Sequence, residues 1–229
     1  MNDTGRRVPD LRGERVNYTK GQLHTDRAGN DPDALFDDWM RDAINRRDND
    51  GDLLEPNAMV LSTINPRTEW PDSRTVLLKE HRNGKFVFFG NYESQKAFDL
   101  DVNRKAALNF TWLPMQRQVR IQGKVRRTTS AVSDEYFATR PRGSQIAAWA
   151  SSQSDVVASY EELQDTFARA EKRFEGGPVN RPPHWGGWEL TPICFEFWQG
   201  RSSRLHDRVR FTEVSDSGDG RWHVERLAP

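Results

Sequence analysis

Residues 195–208 read FEFWQGRSSRLHDR, and the fold turns on how this stretch is read. Phe195 and Phe197 alternate with Glu196 and Trp198, the period of a strand with one apolar and one mixed face. Gln199 and Gly200 break that strand, Arg201-Ser202-Ser203 make a polar turn, and residues 204–208 resume an extended run. An antiparallel hairpin with charged residues on its wet face accounts for that much. The chemistry is denser than a hairpin needs. A Trp, two Arg and a His beside one turn can stack on a planar ring, hold an anion and orient a proton.

Outward from this hairpin, strand patterns fall at 57–64, 73–80, 86–89, 106–112, 118–127, 185–190, 193–198, 205–213 and 222–227. In 118–127, Val119, Ile121, Gly123 and Val125 alternate with Gln118, Arg120, Gln122 and Lys124, one dry face and one polar. Helices are expected from Asp31-Pro32 to about Arg47, from Ser94 to about Asp101, around 133–140, from about Ser144, and over 159–176. The first has Asp as N-cap and Pro at its first position, with Leu35, Phe36, Trp39 and Ala43 as its stripe. In the last, Ser159 and Glu162 make a capping box, and Leu163, Phe167, Ala170 and Phe174 make the stripe. Hairpin-like strands with helices between some of them predict a mainly β, α+β fold: an antiparallel barrel with peripheral helices, not a doubly wound sheet. Residues 1–30 are charged and poor in aliphatics, which predicts a mobile arm without a core role, ahead of a single domain over 31–229.

Lys+Arg and Asp+Glu are both 34 in 229 residues, so there is no global electrostatic case for nucleic acid or an anionic membrane. No apolar run approaches a membrane span, and no signal core opens the chain, so a cytoplasmic location is expected. Cys194 is the single cysteine and sits in an apolar strand pattern, which predicts a buried, inert thiol. The five His show no metal-ligand spacing, and neither a dinucleotide fingerprint nor a P-loop occurs.

The run Glu-aromatic-Trp-Gln, then four residues, then Arg-Leu-His-Asp-Arg resembles the C-terminal motif of the pyridoxine (pyridoxamine) 5′-phosphate oxidases, and the terminal Arg226-Leu227-Ala228-Pro229 fits that family too. The resemblance runs from Arg15 to Pro229. It implies an FMN-binding split β-barrel, acting as a homodimer with FMN at the interface. Arg74-Thr75-Val76-Leu77-Leu78-Lys79 resembles the family's Arg-x-hydrophobic-Leu-Leu-Lys strand, whose Arg serves FMN and whose Lys reaches the substrate phosphate. Phe89-Gly90 and Gln95-Lys96 fall on its next FMN segment. Gln118, the pair Gln153-Ser154, Trp198 and Arg208 match the remaining flavin positions. Tyr136, Arg140 and Ser144 match the family's substrate-phosphate trio. Arg204, Leu205 and His206 match the segment lying over the pyridine ring, with Arg204 and His206 on one face if the strand is regular. Arg15 and Tyr18 match a segment that folds over the substrate as a lid.

The implied reaction oxidises pyridoxine or pyridoxamine 5′-phosphate to pyridoxal 5′-phosphate, with dioxygen as acceptor and hydrogen peroxide as co-product. Arg204 would orient substrate, and His206 would hydrogen-bond or manage a proton. Many members have Arg-Lys where this chain has Gln95-Lys96, and a hydroxyl residue in place of Gly90. Those two departures are expected to weaken FMN binding. The competing readings are a related split-barrel flavin oxidase of the phenazine-pathway type, or a non-catalytic FMN or pyridoxal phosphate binder.

Overall fold

The computed structural model describes residues 11–24, 28–214 and 221–229. Nine strands form one antiparallel sheet: β1 (Ala58–Ile64), β2 (Pro71–Leu77), β3 (Glu80–Arg82), β4 (Lys85–Asn91), β5 (Lys105–Trp112), β6 (Arg117–Arg127), β7 (Trp185–Gln199), β8 (Asp207–Glu213) and β9 (Trp222–Arg226). Its order is β2-β1-β5-β6-β7-β4-β3, with β8 on β7 and β9 on β8. Helices α1 (Pro32–Asp50), α2 (Gln95–Asn103), α3 (Ser130–Thr139), α4 (Arg142–Ala150) and α5 (Tyr160–Arg173) are peripheral to it. This is the mainly β architecture with outlying helices that the strand periodicity predicts.

The 15-residue β7 organises the sheet. Its first half pairs with β4, its second half with β8, and nearly its whole length with β6. The register with β6 shifts between Gln122 and Gly123, opposite Pro192, which has no N–H for a ladder. A Cβ on Gly123 would lie 2.4 Å from the Thr191 carbonyl, so this close approach requires glycine. The two strands expected at 185–190 and 193–198 are therefore one, continued past the proline by a bulge at Ile193 of β7 itself.

Phe36 of α1 enters the core against Phe86 and Phe110 with ring centroids 4.9 and 5.1 Å apart, and Trp39 packs on Phe197. Phe195, Phe197 and Phe211 are fully buried, as the alternation of the opening stretch requires. A smaller cluster of Phe137, Ile146, Ala148, Val179 and Trp185 lies under α3 and α4. At α1 the Asp31 side chain accepts the N–H groups of Asp33 and Ala34, and Gly51 ends the helix in the left-handed region.

Four further expectations change. The strand expected over 73–80 ends at Leu77, and Glu80–Arg82 is a separate short strand. The extended run expected from Arg204 begins only at Asp207, because Ser202–Arg204 is a 3₁₀ turn with Ser203 and Arg204 at φ 56° and 60°. Arg204 and His206 thus do not share a regular strand face. The arm is not without a core role: Leu23 and Ala28 are both buried in the main cluster, while residues 1–10 and 25–27 lie outside the described residues. Cys194 is half-buried, because β7 turns it away from the face carrying Phe195; burial still pushes its thiol up.

Candidate active site

A cavity of about 760 Å³ opens between β2, β4, the start of β7 and helices α2 to α4. β2 contributes Arg74, Thr75, Val76 and Leu77, and the residues after it add Lys79. β4 adds Phe89 and Gly90. Lys96 comes from α2, Gln153 from the segment after α4, Tyr136 from α3, Arg140 from the link between α3 and α4, and Ser144 from the first turn of α4. Four cationic side chains thus line one cavity. Such a set is costly in isolation and is suited to holding phosphate groups.

Each cation is held differently. Arg74 donates to the Thr63 hydroxyl at 2.7 Å, pairs with Asp72, and lies 3.8 Å from the buried Asp99 carboxylate. Lys96 is buried and donates to Ser94 Oγ at 3.0 Å and to Gln153 Oε1. Burial first, and then the charge of Arg74, pulls its ammonium down to about 8. Arg140 lies 4.5 Å over the Trp185 ring, burial holds it below its ordinary value, and its buried Nη1 has no hydrogen-bond partner among the described residues. Phe89, Tyr136 and Trp185 stack, with Phe89 and Tyr136 centroids 4.0 Å apart, so Tyr136 is fixed with its ring against an aromatic wall.

A second cavity, of about 520 Å³, is lined by Arg15 and Tyr18 of the arm and by Arg201, Ser203, Arg204 and His206 of the β7–β8 turn. It shares no lining residue with the first. Tyr18 lies 5.8 Å from both the Trp198 and His206 rings, and Trp198 lies 4.7 Å from His206. His206 Nδ1 accepts the Arg201 N–H at 3.1 Å, which leaves the proton of the neutral ring on Nε2. Burial, then the nearby Arg204 charge, holds His206 below its ordinary value. On the sheet, Gln118, Trp198 and Arg208 sit side by side across β6, β7 and β8. Arg208 is engaged by Glu196 at 2.9 Å and by the Ala228 carbonyl at 2.7 Å.

Seven expected site residues line neither cavity: Gln118, Trp198 and Arg208 on the sheet, and Leu78, Gln95, Ser154 and Leu205. Leu78 is buried in the core. Gln95 donates from its side chain to Asp99 at 2.8 Å and from its backbone to Ser154 Oγ at 3.2 Å, so both residues brace α2. Leu205 is exposed beside the C-terminus. Sequence reasoning missed Trp185, and also Asn91, which caps the β4–α2 turn and reaches the Ser151 carbonyl. The only signal for Trp185 was its aromatic bulk at a strand start, which a core residue shows equally.

The donor set fits a phosphorylated planar ligand: cations and hydroxyls around an orphaned guanidinium nitrogen, beside stacked aromatics. Among the described residues no group of three or more His, Cys, Asp or Glu can hold a metal ion, and no helix is long and apolar enough to cross a membrane.

Comparison with known proteins gives the same picture. A family model described as pyridoxamine 5′-phosphate oxidase matches residues 49–174, and one described as the pyridoxine 5′-phosphate oxidase C-terminal dimerisation region matches residues 185–229. A Synechocystis sp. protein named pyridoxine/pyridoxamine 5′-phosphate oxidase is 46% identical over 215 residues, covering 94% of this chain and 96% of that one. A protein of the same name from Rubrobacter xylanophilus is 47% identical over 220 residues, covering 96% and 97%. The solved structure of PhzG from Burkholderia lata, in complex with tetrahydrophenazine-1-carboxylic acid, matches with TM-score 0.82 at 24% identity, covering 93% and 100%. That likeness concerns the fold alone.

Proposed function

The chain belongs to the pyridoxamine 5′-phosphate oxidase family and oxidises pyridoxine or pyridoxamine 5′-phosphate, and we propose that it does so with FMN and dioxygen as a homodimer. The observation that carries the residue assignment is the first cavity, where four cations converge and one guanidinium nitrogen lacks a partner among the described residues. Arg74 and Lys96, on adjoining walls with Gln153, would hold the FMN phosphate. Lys79, Tyr136, Arg140 and Ser144 would hold the phosphate of the B6 vitamer. Bound FMN would supply the two-electron acceptor and pass the electrons to dioxygen, giving hydrogen peroxide.

The chain's own groups bind and orient. The stack of Phe89, Tyr136 and Trp185 keeps one wall flat and apolar. Trp198, with Gln118 and Arg208 beside it, offers a second planar and polar surface for the flavin. His206, neutral and with its proton on Nε2, would act as a hydrogen-bond donor rather than a cation. Arg204 would supply the positive charge over the substrate ring, and Arg15 and Tyr18 would close that side.

The phosphate cavity and the Arg204/His206 cavity are separate within one chain, which supports a site completed by a second copy. The match of residues 185–229 to a dimerisation region supports the same reading.

The test is to supply the purified protein with FMN and pyridoxine 5′-phosphate in air. Pyridoxal 5′-phosphate is followed as its amine adduct, alongside hydrogen peroxide. Equimolar, sustained formation of both is expected. Flavin bound without any product would overturn the substrate assignment.

A further inference from the structure

We propose that Asp207 is a positioning residue for the Arg204/His206 cavity, acting on both walls through the arm and the β7–β8 turn. It opens β8 opposite Gln199 and is 5% exposed. Its carboxylate accepts from three places. Leu23 N–H reaches Oδ2 at 3.0 Å, Arg201 Nη1 reaches Oδ2 at 3.1 Å, and Arg226 Nη1 reaches Oδ1 at 2.8 Å. A carboxylate so buried needs several donors to remain charged, and these supply them.

Two of the three donors lead to the cavity. Arg226 also donates from Nη2 to the Leu23 carbonyl at 3.1 Å, so Asp207 and Arg226 grip Leu23 from both sides while its side chain enters the core. That grip lies five positions after Tyr18. The intervening chain is fixed again where the Thr19 and Lys20 N–H groups reach Gln116 Oε1 at 2.9 and 3.0 Å. Tyr18 packs so closely on the turn that a Cβ at Gly200 would lie 2.9 Å from its ring. On the other side, Arg201 gives its guanidinium to Asp207 and its N–H to His206 Nδ1. One carboxylate therefore sets the depth of Tyr18 and the orientation of the His206 ring. Neither Asp207 nor Arg226 lines the cavity, so both act through residues that do.

The inference deepens the oxidase reading and rests on it. The test is Asp207→Asn in the full-length, FMN-loaded protein. Losing the charge of a buried hydrogen-bonded carboxylate should raise KM for pyridoxine 5′-phosphate about tenfold, with kcat within about twofold. Flavin content should be unchanged. In the ligand-free protein, trypsin should cut after Arg15 and Lys20 about tenfold faster, since the arm has lost one anchor. Arg226→Gln should move both readouts the same way by less. Glu225→Gln, which disturbs the pair with Arg210 on the neighbouring strand β8, should move neither.

Unchanged KM and unchanged arm cleavage in Asp207→Asn would overturn the proposal. So would equal losses of kcat, flavin and melting temperature, which would mark a residue that merely holds the fold. If the unmodified protein fails to turn over, the oxidase reading falls, while the cleavage rates still decide whether Asp207 anchors the arm.

Discussion

Lys96 is buried beside a second cation, and its ammonium is pulled down to about 8. A phosphate needs that ammonium charged. FMN affinity of the ligand-free protein should therefore be level below about pH 8 and fall by up to about tenfold per pH unit above it. Titrating flavin fluorescence across that range checks the slope, and Lys96→Met should bind weakly without the slope. The neighbours of Lys96 also explain two departures from the family pattern. A Cβ on Gly90 would lie 3.1 Å from Lys96 Cε, so glycine leaves room for the buried side chain. Gln95 is turned onto Asp99, whose other oxygen takes the Thr63 hydroxyl at 2.6 Å, and Asp99 in turn lies by Arg74. Arg74, Lys96 and Arg140 were legible because a motif of charged residues survives in the sequence. Trp185 was not, since a cavity wall and a core packing position ask for the same bulky ring.

At the scale of elements, α1 is clipped to β3 by His81, whose protonated ring donates to Asp33 (3.0 Å) and Asp37 (2.7 Å) and stacks on Phe86. Burial alone would lower its pKa, but the two carboxylates outweigh that and hold it above the ordinary value. A raised histidine stabilises the fold fully below its unfolded pKa, and that contribution is lost as pH rises through the folded value. The melting-temperature gap between the protein and His81→Gln should be widest near about pH 6 and close by about pH 9. Its size should be on the order of 1 kcal/mol, kept small because Asp37 is largely exposed. Phe36→Ala on the same helix should cost about 3–5 kcal/mol in denaturant unfolding, since its ring is fully enclosed. Helix α1 was legible from its cap and stripe. The break between β2 and β3 was not, because Leu78 extends the apolar run of Val76 and Leu77 across it and Lys79 and Glu80 read as the charged end of one strand. Nor was the left-handed pair Ser203 and Arg204, a geometry that only the closing turn imposes.

For the whole molecule, the separation of the two cavities makes the proposed interface testable by mixing. Arg140→Ala and Arg204→Ala homodimers should each be nearly inactive with substrate. After co-refolding at equal amounts, about a quarter of the sites should regain both arginines if each site draws on two chains. No recovery would place both residues in one chain's site. The resemblance implied a site at a dimer interface, but which residues each chain supplies was not legible, because that division is set by sheet order. Sheet order has a temporal side as well. β7 is the direct partner of β4, β6 and β8, yet it is encoded after all five helices. While the ribosome is still making α5, β4 and β6 have only one neighbour each, and their open edges invite pairing with other nascent chains. The cavity wall at Trp185, the central ladder and the turn bearing His206 are all made after α5. Vectorial synthesis thus leaves the binding site open until β7 is made, so cofactor capture follows the pairing of β7 rather than guiding the strands before it.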